Sequence, residues 1–212
     1  MESDEKKIWI DRLISFTNEN KKFPDLEEFT KKYETTPEDF LKNSETLDEL
    51  KTQTWLHLYE ETISRLLKSS EYNSYLVRDK MLAFYYTMIE ELAEAREFVK
   101  LCYAERPVLQ VKPVGIKLFD EAFTKYTDLL LSEGKTSGEL ATRPLVDNQL
   151  KKILKAKLYF VLDFWIKDNA ENFENTDAAI EKSVHLAFDM LTKNALDSAL
   201  DFGKFFFRNG KT

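Results

Sequence analysis

The chain has 212 residues, 31 Lys and Arg against 38 Asp and Glu, and a formal net charge of -7. That length fits one large domain or a small domain joined to a larger one, and 43% hydrophobic residues supply ample core. No run approaches the ~18 uncharged apolar residues of a membrane span, and the acid excess argues against a general nucleic-acid binder, which carries a basic face.

Five of the first seven residues are charged, and they run into an amphipathic stretch, unlike the apolar centre of a secretory signal. The single cysteine, Cys102, rules out an internal disulfide and favours a reducing compartment, so a cytoplasmic location is expected. Glycine first occurs at position 115, and neither GxGxxG nor a P-loop pattern is present. The dinucleotide-binding and P-loop classes are thereby excluded.

Five prolines, at 24, 37, 107, 113 and 144, punctuate segments of helical apolar period. The spacing predicts a first helix over 8–20. A second follows over 25–32, opened by Asp25 with Glu28 three residues on. Thr36-Pro37 restarts a short helix over 36–43, with proline at the first helical position. Thr46 and Glu49 form another capping pair, opening a long helix to about residue 68. Residues 73–104 suit one kinked helix or two consecutive ones. A linker over 107–113, a helix over 115–131 and a polar loop over 132–144 come next. Two long helices, over 145–170 and 176–202, close the chain. No strand pattern competes, so the fold class is all-α with about nine helices.

The pair of short helices over 25–43 has helix-turn-helix spacing. The run Leu13-Ile14-x-Phe16, Phe23-Pro24-x-Leu26-x-x-Phe29-x-x-x-Tyr33-x-x-Thr36, Phe40 and Leu47-x-x-Leu50 resembles the N-terminal domain of TetR/AcrR-type repressors. The downstream layout is similar too, with several helices followed by a long closing pair. The resemblance implies a three-helix head over 1–45 and a larger ligand-binding and dimerisation domain over 46–212. It also implies a homodimer, a DNA operator and a small apolar ligand or lipid as partners, with no cofactor and no enzymatic activity.

Where that family has Gly-Val-Ser in the turn, this chain has Glu34, Thr35 and Thr36. Thr36, Lys42, Asn43 and Lys51 are then the residues placed to contact DNA. Residues 1–55 hold nine Lys and Arg against fourteen Asp and Glu, so -5 of the total charge lies on the segment that should meet a polyanion. Each neutralised phosphate requires a cation, which implies weakened or lost DNA binding. The alternative is an accessory protein that uses the same scaffold to bind a lipid or metabolite without reading DNA.

Met81, Phe84, Tyr85, Met88, Phe98, Tyr103, Phe119, Phe123, Tyr126 and Trp165 fall on helices that enclose the ligand in TetR-like proteins. Such residues line adaptable apolar pockets, although core packing also explains them. The two closing helices carry stripes through Leu154, Leu158 and Val161 and through Val184, Ala187, Phe188, Leu191 and Ala195. Apolar residues beside each stripe, including Phe160, Phe164 and Leu186, call for burial on more than one side, and an isologous dimer interface satisfies this.

Other chemistry finds little support. His57 shares a helical face with Glu60 and Glu61, and His185 with Glu181, but two ligands do not make a metal site. Thr54 and Lys182 stand three residues before the histidines, so the Glu-x-x-His pairs of di-iron bundles are absent. Cys102 lies between Leu101 and Tyr103 and reads as packing, not as a nucleophile.

Overall fold

The computed structural model describes residues 2–107, 110–140 and 144–189. Among them run nine α-helices and two 3-10 turns, with no strand. The helices are α1 (Glu2–Asn20), α2 (Leu26–Lys32), α3 (Pro37–Leu41), α4 (Leu47–Lys68), α5 (Val77–Glu94), α6 (Arg96–Ala104), α7 (Lys117–Ser137), α8 (Pro144–Lys167) and α9 (Glu174–Asp189).

The starts of α2, α3 and α4 are built by the capping residues the sequence offers. Asp25 Oδ1 accepts from the Glu28 amide at 2.8 Å, Thr36 Oγ1 from Asp39 at 3.1 Å, and Thr46 Oγ1 from Glu49 at 3.0 Å. Each bond satisfies one of the amides that the first turn of a helix leaves free. The 73–104 stretch divides at Ala95, whose φ of -112° ends α5 and starts α6.

Helix α1 begins at Glu2, six residues before the expected start, and the end of α7 departs from expectation as well. Residues 132–137, expected to open a polar loop, continue α7 until Gly138 closes it with φ 79°. Their polar composition is compensated by a tertiary contact. Gly134 lies so near Leu140 that an added Cβ would sit 2.7 Å from that side chain. The returning segment also delivers the Glu139 carboxylate to the free amides of Val77 and Arg78, capping α5. The expected closing helix over 176–202 is seen as α9 to Asp189, and its remainder lies outside the described residues.

Helix α4 forms the centre, flanked by α1, α5 and α7, while α9 packs across α5 and α8. Trp55 of α4 is fully buried against Phe98 and Phe119 and donates its indole N–H to Val114 O at 3.0 Å. Helices α1–α3 enclose a smaller aromatic cluster of Trp9, Phe29 and Phe40, with Trp9 edge-on to Phe40 at 5.5 Å. The boundary expected after residue 45 falls in the turn between α3 and α4. The head is fastened to the rest through Phe23 on Phe98, Asn18 on Glu94 O and Lys21 on Glu97.

Candidate functional site

The α2–turn–α3 unit is compact. Glu34, in the turn, adopts φ 50°, the left-handed conformation that costs a residue with a side chain about 1–2 kcal/mol. The sharp turn is thus built without the glycine that serves it in the resembled family. Helix α3 spans five residues, shorter than the 36–43 expected, because Asn43 and Ser44 both turn their amides back to Phe40 O.

Three of the four residues expected to contact DNA converge on Asp39. The Thr36 hydroxyl donates to Asp39 Oδ2 at 3.1 Å, Lys42 Nζ pairs with Asp39 Oδ1 at 2.7 Å, and Asn43 Nδ2 donates to Asp39 O at 3.2 Å. The Lys42 hydrogen bond and charge hold the Asp39 carboxyl below its ordinary range, and the pair raises Lys42 in turn. The fourth residue requires correction. Lys51 is 7% exposed, lies over the Phe23 ring at 4.0 Å, and pairs with Asp48 at 3.1 Å and Glu105 at 2.9 Å. Its stem and charge are committed to joining head and body, which leaves nothing to present to a phosphate.

In the body, the ten residues expected around a ligand belong to one continuous core. Phe84 stacks on Tyr126 at 4.8 Å and packs against Tyr85 and Phe123. Phe98 and Phe119 both join Trp55, and Trp165 packs on Phe173. Tyr103 lies under the Arg106 guanidinium, and Met81 and Met88 are buried on α5. Nine of the ten are buried and Tyr126 is half-buried. None of the ten lines the four described cavities, so these residues form packed core here, not an open pocket.

The expected dimer stripes are likewise inside the protomer. Leu154, Leu158, Val161, Val184, Ala187 and Phe188 are all buried, so the stripe side chains already have partners. Leu191 and Ala195 lie outside the described residues. The residues one position aside are the ones left open: Ile153, Phe160 and Leu186 are 39%, 49% and 63% exposed. With Ala156, Lys157, Ser183 and Ala187 they line an apolar groove of about 280 Å³ between α8 and α9.

Beneath this groove lies a feature that the sequence did not disclose. Lys157 is 6% exposed, and its Nζ sits 3.8 Å from the centre of the Tyr85 ring with no hydrogen-bond partner. Burial alone lowers its pKa from 10.5 to about 7. The Tyr85 hydroxyl is also buried and unpartnered, and burial pushes its pKa upward. The pattern around residue 157 is helical and apolar, and a lysine in it reads as a solvated face.

Two other buried carboxylates are fully engaged. Asp120 accepts from Tyr159 at 2.5 Å, Lys112 at 2.9 Å and Lys155 at 2.8 Å, tying α7 to α8. Asp168 accepts from the amides of Ala170 and Thr176, from Asn175 Nδ2 and from the Thr176 hydroxyl, at 2.7 to 3.1 Å. Burial opposes its ionisation, yet these donors prevail and hold its pKa down at about 2. His57 Nε2 lies 3.3 Å from Lys7 Nζ and 3.9 Å from Glu61. No cluster of metal-ligating type occurs among the described residues. Burial raises the Cys102 thiol to about 12, which disfavours the nucleophilic thiolate. No described helix is long and apolar enough to cross a membrane.

No curated protein and no solved structure matches the chain. Residues 80–206 match the tetracyclin repressor-like C-terminal domain, a match that begins in α5, takes in α6 to α9 and covers more than half of the sequence. With its helical body in that match, the chain belongs to the TetR-like family of regulators.

Proposed function

We propose that this chain is a homodimeric TetR-like regulator whose body, residues 46–212, senses a small apolar ligand and whose head, residues 1–45, binds DNA weakly. The observation that carries the reading is the state of the cations expected to meet DNA: Lys42 of the head is neutralised by Asp39, and Lys51, at the start of the body, is buried between two acids. A phosphate contact must supply a cation and release a condensed counterion. A lysine already paired to a carboxylate has to give up that pair first. The left-handed turn at Glu34 and the packed head support a retained helix-turn-helix shape, while the charges around it oppose its use.

Dimerisation is assigned to the outer face of α8 and α9, where Ile153, Phe160 and Leu186 stand exposed. A two-fold contact through one self-complementary face is the usual form of a homodimer. In this mechanism ligand bound in the body alters the spacing of the two heads and lowers operator affinity. The same weakness of the head favours a second reading, an accessory protein that binds a lipid or metabolite and no longer reads DNA.

An anisotropy titration at low salt, with duplex DNA from upstream of the coding sequence, separates the two. Salt-dependent binding between about 10⁻⁴ and 10⁻⁶ M supports a regulator with a weakened head, and tighter binding keeps the regulator but refutes the weakening. Binding weaker than about 10⁻⁴ M, the loose end of non-specific affinity, supports the accessory protein.

A further inference from the structure

Among the described residues, Lys157 is the one buried charged side chain of the body with neither an ion pair nor a hydrogen bond. Its neighbours behave differently: Lys80 is also buried but pairs with Glu133, and Lys155 reaches Asp120. An isolated ammonium in an apolar setting is costly unless it is paired and hydrogen-bonded. Among the described residues its only compensation is the face of the Tyr85 ring, whose own hydroxyl is another unpartnered donor. Both groups have N–H or O–H bonds to give. The chemistry they lack is an acceptor, and the ammonium specifically lacks a negative charge.

Lys157 forms part of the wall of the groove between α8 and α9. The rest of that wall is apolar apart from Ser183: Ile153, Ala156, Phe160, Leu186 and Ala187. A volume of about 280 Å³ holds about ten methylene-sized groups if each fills roughly the ~30 Å³ that a water occupies in the liquid. An apolar trough with a lysine in its wall, whose buried ammonium rests on Tyr85 without an acceptor, suits a ligand with an aliphatic tail and an anionic head that draws the ammonium outward.

We propose that this groove binds a medium-chain carboxylate, its tail along Ile153, Phe160 and Leu186 and its head group on Lys157 Nζ. The four-carbon stem of a lysine lets the ammonium move between the Tyr85 ring and the groove while its methylenes remain on apolar surface. A neutral ligand of the same length fills the trough but leaves the ammonium uncompensated, so charge provides the selectivity. The inference rests on the reading of the body as a ligand sensor and supplies the ligand's class. In a dimer closed through this face, the tail lies in the seam between the two copies.

The test is isothermal titration of the full chain with decanoate and with decanol, using the native protein, Lys157→Met and Lys157→Arg. Decanoate is expected to bind the native chain at least tenfold more tightly than decanol. Lys157→Met should remove that preference without weakening decanol, and Lys157→Arg should keep it. Equal affinity of the native chain for acid and alcohol, or a preference that survives Lys157→Met, overturns the head-group assignment while leaving a sensor of apolar ligands. Failure of both compounds to bind overturns the ligand site altogether. If sedimentation then shows a dimer at the same concentrations, the groove's occupant is a second copy.

Discussion

Replacing Lys157 by methionine should stabilise the protein, although a charged residue is usually the harmless choice on a helix. The native side chain is 6% exposed and its ammonium has no hydrogen-bond partner. Burial lowers its pKa from 10.5 to about 7, which at ~1.4 kcal/mol per pH unit corresponds to a burial cost of about 5 kcal/mol. The cation–π contact with Tyr85 offsets about 2 of these, leaving a deficit of about 3 kcal/mol. Methionine keeps the length and flexibility of the stem and removes the charge. For a chain of this size, that gain raises the melting temperature by about 6–12 °C. The pH dependence fixes the cause. Below pH 7 folded and unfolded chains both hold the proton, so the whole cost opposes folding. Between about 7 and 10.5 the unfolded chain binds more protons than the folded one, and native stability rises with pH. Thermal or urea unfolding at pH 6, 8 and 10 should therefore show a gap between variant and native protein that is widest at pH 6 and nearly closed at 10. A variant no more stable than the native chain at pH 6 would refute the reasoning.

Glu34→Gly relieves a left-handed residue at some entropic cost and should stabilise the chain by about 0.5–1 kcal/mol, read as a rise in urea midpoint. Gly134→Ala should do the reverse of what helix propensity predicts. The new methyl meets Leu140 at 2.7 Å, and overpacking costs about 1–3 kcal/mol, measurable in the same urea titration. Asp168→Ala removes the carboxylate that caps the start of α9 and should cost roughly 2 kcal/mol, the upper range for a lost cap. Since the folded pKa of Asp168 is depressed to about 2, its contribution is present above the unfolded value near 4 and disappears as pH falls from 4 to 2. The variant should lack that acid-dependent loss. Asp39→Ala releases Lys42 and removes one negative charge from α3. It should tighten DNA binding several-fold at low salt and steepen the salt dependence by about one counterion, as followed by anisotropy.

The helix starts were legible because capping is local. Asp25, Thr36 and Thr46 lie three residues before the amides they accept, and a three-residue pattern survives any tertiary arrangement. The end of α7 was not legible for the opposite reason. Ser132, Glu133, Gly134 and Lys135 have the composition of a loop, and only Leu140 and Val77, brought in from outside the helix, make a glycine useful there. The closing helices show a related limit. Periodicity identifies an apolar stripe but not what covers it, and a helix apolar on two sides offers two equally regular stripes. Leu154 and Leu158 belong to the side that α9 and the inner helices cover; Ile153 and Phe160, one or two positions away, remain exposed. A shift of one residue turns a helix face by about 100°, enough to exchange a core for an interface.

Charge is legible in number but not in pairing, and for the head the pairing matters more. The sum of -5 over residues 1–55 treats nine cations as available to a phosphate. Six of them are already in ion pairs: Lys7, Lys21, Lys22, Lys32, Lys42 and Lys51. Arg12 lies over the rings of Trp9 and Tyr33. Apart from the buried Lys51, these are exposed pairs that contribute little to stability, typically under about 1 kcal/mol each, so they do not explain why the head folds. Their consequence is for a polyanion, which must displace a carboxylate and then tolerate its charge nearby. Asp39 concentrates this effect, since it holds Lys42, Thr36 and Asn43 together. Composition would have permitted a head with the same net charge and a free basic edge. The fold places its acids where that edge would be.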